Sequence, residues 1–121
     1  MKREIKFRTW DDGVMLYSDA YVNEMNYSEW DYLRFFFQNI RTDAIVMQYT
    51  GLRDKNGKGK EIYEADIFNN TNKTAIGVVS WFEDKWVIKF PTYQYSLYQF
   101  LENDERRKVI GNIHDNPELL S

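Results

Sequence analysis

The chain has 121 residues, enough for one ordinary domain with a single core. Leu, Ile, Val and Phe supply 31 of them, with 21 aromatics in all, a content above the roughly 20% below which charged chains stay disordered. Sixteen (16) Lys plus Arg against 19 Asp plus Glu give a net charge of −3, which excludes indiscriminate phosphate binding while leaving room for a local basic patch.

Ile5–Trp10 alternates apolar and polar residues as a half-buried strand does, Asp11-Asp12-Gly13 supplies a turn, and Val14–Tyr17 returns as the second arm of a hairpin. Charge changes sign here: four bases lie in the first ten residues, whereas positions 11–33 hold six acids and no base, a solvated acidic edge. Ser28 can cap a helix in which Trp30, Leu33, Phe37 and Ile40 recur at helical spacing, with Phe36 widening the stripe. The Phe35–Phe37 run also suits a buried strand, although the spacing favours helix.

Ile45–Thr50 is a predicted strand that Gly51-Leu52 ends. Asn56-Gly57 then marks a hairpin turn within the polar run 53–60, and Glu61–Phe68 resumes a strand pattern. Asn69–Lys73 is a turn. Ile76–Phe82 and Trp86–Phe90, joined at Glu83-Asp84, make the best-supported hairpin, with Pro91 stopping it and Ile67, Ile76, Val78, Trp86 and Ile88 as its expected core. Ser96 and Gln99 have capping-box spacing ahead of Leu97, Phe100 and Leu101. A strand at Val109–Ile113 and a last turn capped by Asn116 before Pro117 complete the reading. Short strands, hairpin turns and two or three short helices imply a mainly β or α+β fold.

Three blocks resemble the YopX-like family of bacteriophage and prophage proteins: Arg3–Asp11, then Met47–Gly57 with Glu61–Ile67, then Ile110–Leu120. They occur in family order at the start, middle and end, so the resemblance implies one YopX-like domain over residues 1–121 and a phage-related origin, and implies no particular reaction. Two departures stand out. Gly57-Lys58-Gly59-Lys60 is two residues longer than the family's usual run, and the family's Gly-Asp pair is Ala65-Asp66 here, which suggests an ordinary φ or close packing at that position. The Ala65-Asp66-Ile67 segment is also similar to the strand entry of SH3-like small barrels, so such a barrel is expected within the domain.

The candidate chemistry is sparse. No Cys is present, which excludes disulfides, thiolate nucleophiles and Cys-type metal sites and suits a reducing cytoplasm. No apolar run approaches the ~18 residues of a membrane span, and no apolar stretch follows Met1–Glu4, so neither a membrane anchor nor a secretory signal is expected. His114, the only histidine, has Asp115 beside it, but neighbours on a strand point to opposite faces. Glu64 and Asp66 would share a face of a regular strand, near Glu61, without a third oxygen-rich motif to complete a cation site. The loop Gly57–Lys60 lacks the spacing of a phosphate-binding P-loop.

No catalytic, cofactor-binding or metal residue is therefore assigned, and the protein is expected to be a non-enzymatic, cytoplasmic binding or assembly module. It would self-associate or bind a phage or host protein, with Phe35, Tyr93 and Tyr95 as interface candidates beside Tyr98 and Phe100. The acidic 11–33 segment and the basic 53–60 loop would complement each other between copies. The alternative is nucleic-acid binding by Arg53, Lys55, Lys58 and Lys60, with Arg106-Arg107-Lys108 as further phosphate contacts and Tyr49, Tyr63, Trp81 or Trp86 as stacking surfaces.

Overall fold

The computed structural model describes residues 5–21, 29–41 and 43–120, and its contacts separate two compact units, Met1–Tyr49 and Thr50–Ser121. The class is mainly β with short helices, as expected.

In the first unit, β1 (Phe7–Asp11) and β2 (Val14–Tyr17) pair antiparallel from Arg8↔Tyr17 to Asp11↔Val14. Asp12 and Gly13 between them have φ of 51° and 82°, the two positive angles that let a two-residue turn follow the strand twist. Strand β1 also pairs with the start of β3 (Ile45–Arg53), from Phe7↔Gln48 to Trp10↔Ile45. Helix α1 spans Glu29–Asn39; the expected cap Ser28 and the side chain of Phe35 lie outside the described residues. Among its described side chains Leu33 and Phe36 are buried, whereas Phe37 is exposed and meets Phe7 edge-on at 5.2 Å. Of the expected stripe, Leu33 and Phe36 are buried and Ile40 is half-buried, while Phe37 is corrected to an exposed position.

Strand β3 does not stop at Gly51. That residue takes φ +86° with open space around its Cβ position, and the strand runs on to Arg53. In the second unit a single turn, α2 (Asp54–Gly57), carries left-handed angles at Lys55 and Asn56. It leads to β4 (Glu61–Tyr63), which neighbours β3, and Thr50 Oγ1 donates to the Ile62 carbonyl at 2.8 Å. The expected continuous strand Glu61–Phe68 is broken at Glu64-Ala65: β5 (Asp66–Asn69) starts anew, and Ala65 has φ +77°. Of the two readings of Ala65, the ordinary φ is therefore corrected, while close packing stands, since the residue is buried. The turn demands a left-handed residue, and the buried Asp66 closes it by accepting the Tyr63 N–H at 2.8 Å.

Strands β6 (Ile76–Phe82) and β7 (Lys85–Lys89) form the expected hairpin, with β8 (Gln94–Ser96) beyond β7 and β9 (Gly111–Asn112) beyond β5, in the order β8-β7-β6-β5-β9. The register Val79↔Ile88 and Phe68↔Gly77 puts Phe68, Val79 and Ile88 on one face. There they meet Phe90 and helix α3 (Leu97–Asn103) through Leu97, Phe100 and Leu101. Gly77 is needed on that face, because a Cβ would meet Ile88 and Phe90 at 2.7–2.8 Å. The expected core set is corrected accordingly. Ile67 and Ile88 are buried but on opposite faces, and Ile76, Val78 and Trp86 are only half-buried. Ser96 does cap α3, accepting the Gln99 N–H. The strand expected at Val109–Ile113 is reduced to β9, and a 3-10 turn, Pro117–Leu120, follows it.

Candidate functional site

The buried carboxylate of Asp54 organises one end of the second unit. It is 3% exposed and accepts backbone N–H groups from Lys60 at 2.6 Å and from Val109 at 2.9 Å. Its own main chain exchanges hydrogen bonds with Lys60 and Gly59, while the Lys55 N–H donates to the Arg107 carbonyl at 2.8 Å. A Cβ on Gly59 would overlap Asp54 Oδ1, so the Gly59 position is open because the carboxylate fills it. One acid thus ties turn α2 to the segment after α3.

The result is a groove of about 810 Å³ on which three segments converge: Lys55 and Lys58 from the α2 turn, Lys73 from the β5–β6 turn, and Arg106, Arg107 and Lys108 after α3. Six cations face two carboxylates, Asp104 and Glu105. Arg106 is partly committed, since its Nε and Nη2 each reach Asp104 at 3.1 Å; these side-chain bonds and the Arg106 backbone N–H hold the Asp104 carboxyl down at about 2. Arg107 is fixed more firmly, donating to the Phe100 carbonyl at 3.0 Å and Thr71 Oγ1 at 3.1 Å with its guanidinium 3.8 Å from the centre of the Phe100 ring.

Two of the four predicted loop cations, Lys55 and Lys58, line this groove. Arg53 instead lies along the hairpin, donating to the Gly59 carbonyl at 3.2 Å and pairing with Glu61 at 3.6 Å, and Lys60 is not among the lining residues. Tyr49 and Tyr63, proposed as stacking surfaces, are buried. Trp81 is exposed and packs edge-on against Trp86 at 5.0 Å on the β6–β7 hairpin, away from the groove lining. Tyr93, Tyr95 and Tyr98 are exposed while Phe100 is core, and the Tyr98 phenol is held above its usual range by its hydrogen bond to Glu102. Sequence reasoning missed Lys73, which stood in a run legible only as a turn, and Asp54, whose neighbours in sequence gave no sign of Val109.

The acidic and histidine candidates have structural surroundings. Glu64 and Asp66 are separated by the turn at Ala65. Asn112 Oδ1 accepts the N–H groups of both His114 and Asp115, and its amide donates to the Asp115 carboxylate at 2.9 Å. The Asn116 side chain accepts the Asn112 N–H at 3.2 Å, and its carbonyl accepts the Leu119 N–H of the turn that follows at 3.1 Å. Among the described residues, no group of three or more His, Asp or Glu could hold a metal ion, and no helix is long and apolar enough to cross a membrane.

A family model described as YopX protein matches residues 6–121. No curated protein matches. The crystal structure of protein EF1440 from Enterococcus faecalis is similar over 99% of this chain and 100% of its own, at 24% identity and a TM-score of 0.61; at that identity the likeness is one of fold.

Proposed function

The chain belongs to the YopX family, and we propose that it works by binding rather than catalysis, with the phosphate backbone of a nucleic acid as the ligand of its basic groove. The observation that carries this reading is the convergence of Lys55, Lys58, Lys73, Arg106, Arg107 and Lys108 on one groove of an otherwise mildly acidic protein. Successive phosphates of a strand each meet a cation there, and the release of condensed counterions drives association. The overall charge of −3 discourages phosphate binding elsewhere on the surface. The setting proposed is the bacterial cytoplasm in a phage or prophage context, supported by the family.

Fluorescence anisotropy with labelled oligonucleotides across a salt series tests the reading. Affinity falls steeply with salt, by a log–log slope of about −0.7 per phosphate contact on a single strand. The double variant Lys55→Gln with Lys58→Gln weakens binding and flattens that slope by about 1–2. Binding that ignores salt, or no binding at low salt, overturns it.

A second reading, self-association or contact with a phage or host protein, is favoured by the exposed rings of Trp81, Phe82, Tyr95 and Tyr98 in the second unit. Light scattering tests its self-association arm: an oligomeric mass that persists in high salt supports it, and a monomer that stays monomeric on concentration removes self-association and leaves only contact with another protein.

A further inference from the structure

Beside the basic groove lies a second cavity of about 460 Å³, lined by Tyr93, Tyr95, Phe100, Asn70, Asn103 and Arg107 among others, a volume within the roughly 300–1,000 Å³ of small-ligand sites. Asn70, Thr71, Asp104 and Arg107 line both cavities, so Arg107 stands on the wall they share. Its two hydrogen bonds and its seat on the Phe100 ring hold it there.

We infer that this cavity takes an unpaired nucleobase of a single strand whose phosphates lie in the adjoining groove; the inference rests on the phosphate reading above. Two features of the cavity select a base. The first is aromatic: Tyr93 and Tyr95 remain 40% and 51% exposed although they belong to a ring cluster on Phe90, with Tyr93 stacked at 4.9 Å and Tyr95 edge-on at 6.5 Å. Both rings thus keep exposed aromatic surface while their contacts with Phe90 and with each other hold them in place, and base–aromatic stacking tolerates any sequence. The second is polar: the amides of Asn72 and Asn103 and the Thr71 hydroxyl line the same space and bring both donor and acceptor groups to a base edge, whereas the Asn70 amide is spent inside the protein, its Nδ2 donating to Thr74 Oγ1 at 3.0 Å and to the Tyr93 hydroxyl at 3.5 Å. Asn70 is itself held by its Oδ1, which accepts the N–H groups of Thr74 and Ala75 at 2.8 and 3.1 Å. A duplex keeps its bases stacked and paired and cannot use such a cavity, so single strands are the favoured ligand.

Anisotropy with four probes of equal length tests this: oligo(dT), oligo(U), an abasic single strand with the same phosphates, and a duplex. Oligo(dT) is expected to bind about 5–100-fold more tightly than the abasic strand, the value of one stacked base. Tyr95→Ala and Tyr93→Ala each remove most of that advantage and leave abasic binding and its salt slope unchanged, whereas Tyr95→Phe retains it. Comparison of oligo(U) with oligo(dT) tells an RNA-selective site from a DNA-selective one, and either preference supports the inference. Equal binding of oligo(dT) and the abasic strand by the wild type, with clear salt dependence, overturns the base site and leaves the phosphate reading standing. Binding to none of the four overturns both.

Discussion

Asp54 and Val109 are fifty-five (55) residues apart in sequence, yet the Asp54 carboxylate accepts the Val109 N–H at 2.9 Å. With the second oxygen on the Lys60 N–H, this contact fixes where the Lys55–Lys58 turn stands relative to Arg106–Lys108. Removing it leaves two desolvated backbone donors without their acceptor. Asp54→Ala is therefore expected to cost about 2–4 kcal/mol of stability, read from urea denaturation. Oligonucleotide binding should weaken even where the variant remains folded, because the two halves of the basic groove lose their tie.

Gly59→Ala is expected to act on the same point from the other side. Its new methyl would displace a carboxylate that two hydrogen bonds hold in place. A destabilisation of about 1–3 kcal/mol is expected, and pairing it with Asp54→Ala in a double-mutant cycle should give strongly non-additive losses. Additive losses would place the two residues in separate roles.

Ala65 and Gly51 give opposite signs for the same physics. Ala65 holds φ +77° and Gly51 holds φ +86° with nothing within 4 Å of its Cβ position. Ala65→Gly should relieve left-handed strain and raise stability by about 0.5–1 kcal/mol after the added freedom of the unfolded chain is counted. Gly51→Ala should lower it by about 1 kcal/mol. Thermal melts monitored by circular dichroism would show the midpoints moving in opposite directions.

Asp104 titrates far below its model-peptide value of 3.8, at about 2, chiefly through its hydrogen bonds with Arg106. A depressed folded-state value means that its contribution to stability is present above pH 3.8 and is lost as pH falls through about 2. Carboxyl carbon shifts followed by NMR should show this midpoint in the native protein. Arg106→Ala should move it up toward 3.8, and the same variant frees no cation from the groove, since it removes one.

Packing on the second sheet distinguishes its faces. Ile88 is fully buried against Phe68, Val79 and Leu97, so Ile88→Ala should cost about 2–5 kcal/mol. Ile76, half-buried on the opposite face, should cost markedly less on the same substitution. Equal costs in denaturant titrations would contradict the observed register.

The sequence by itself determined the local elements whose cause is local. Asp12-Gly13 and Glu83-Asp84 mark their hairpins, Ser96 caps α3, and the spacing of Leu97, Phe100 and Leu101 gives that helix its buried face, because turn and cap geometry depends on neighbours a few residues away. The three blocks that span the chain likewise sufficed to indicate the family. Tertiary structure alone decided the rest. Which face of Ile76–Phe82 is core depends on the partner register Val79↔Ile88 and on α3 covering one side, and a strand apolar on both faces carries no such information. The break at Ala65 was hidden because an Ala at positive φ is paid for by contacts elsewhere, here the Asp66 carboxylate and the hydrogen bond from Ala65 N–H to the Val79 carbonyl. The basic groove was half legible: the charges at Lys55, Lys58 and Arg106–Lys108 stood in the sequence, but what gathers them is a buried acid reaching a backbone amide half a chain away. Lys73 joins them, and Arg53 leaves them for Glu61, for reasons of side-chain reach that exist only once the chain is folded.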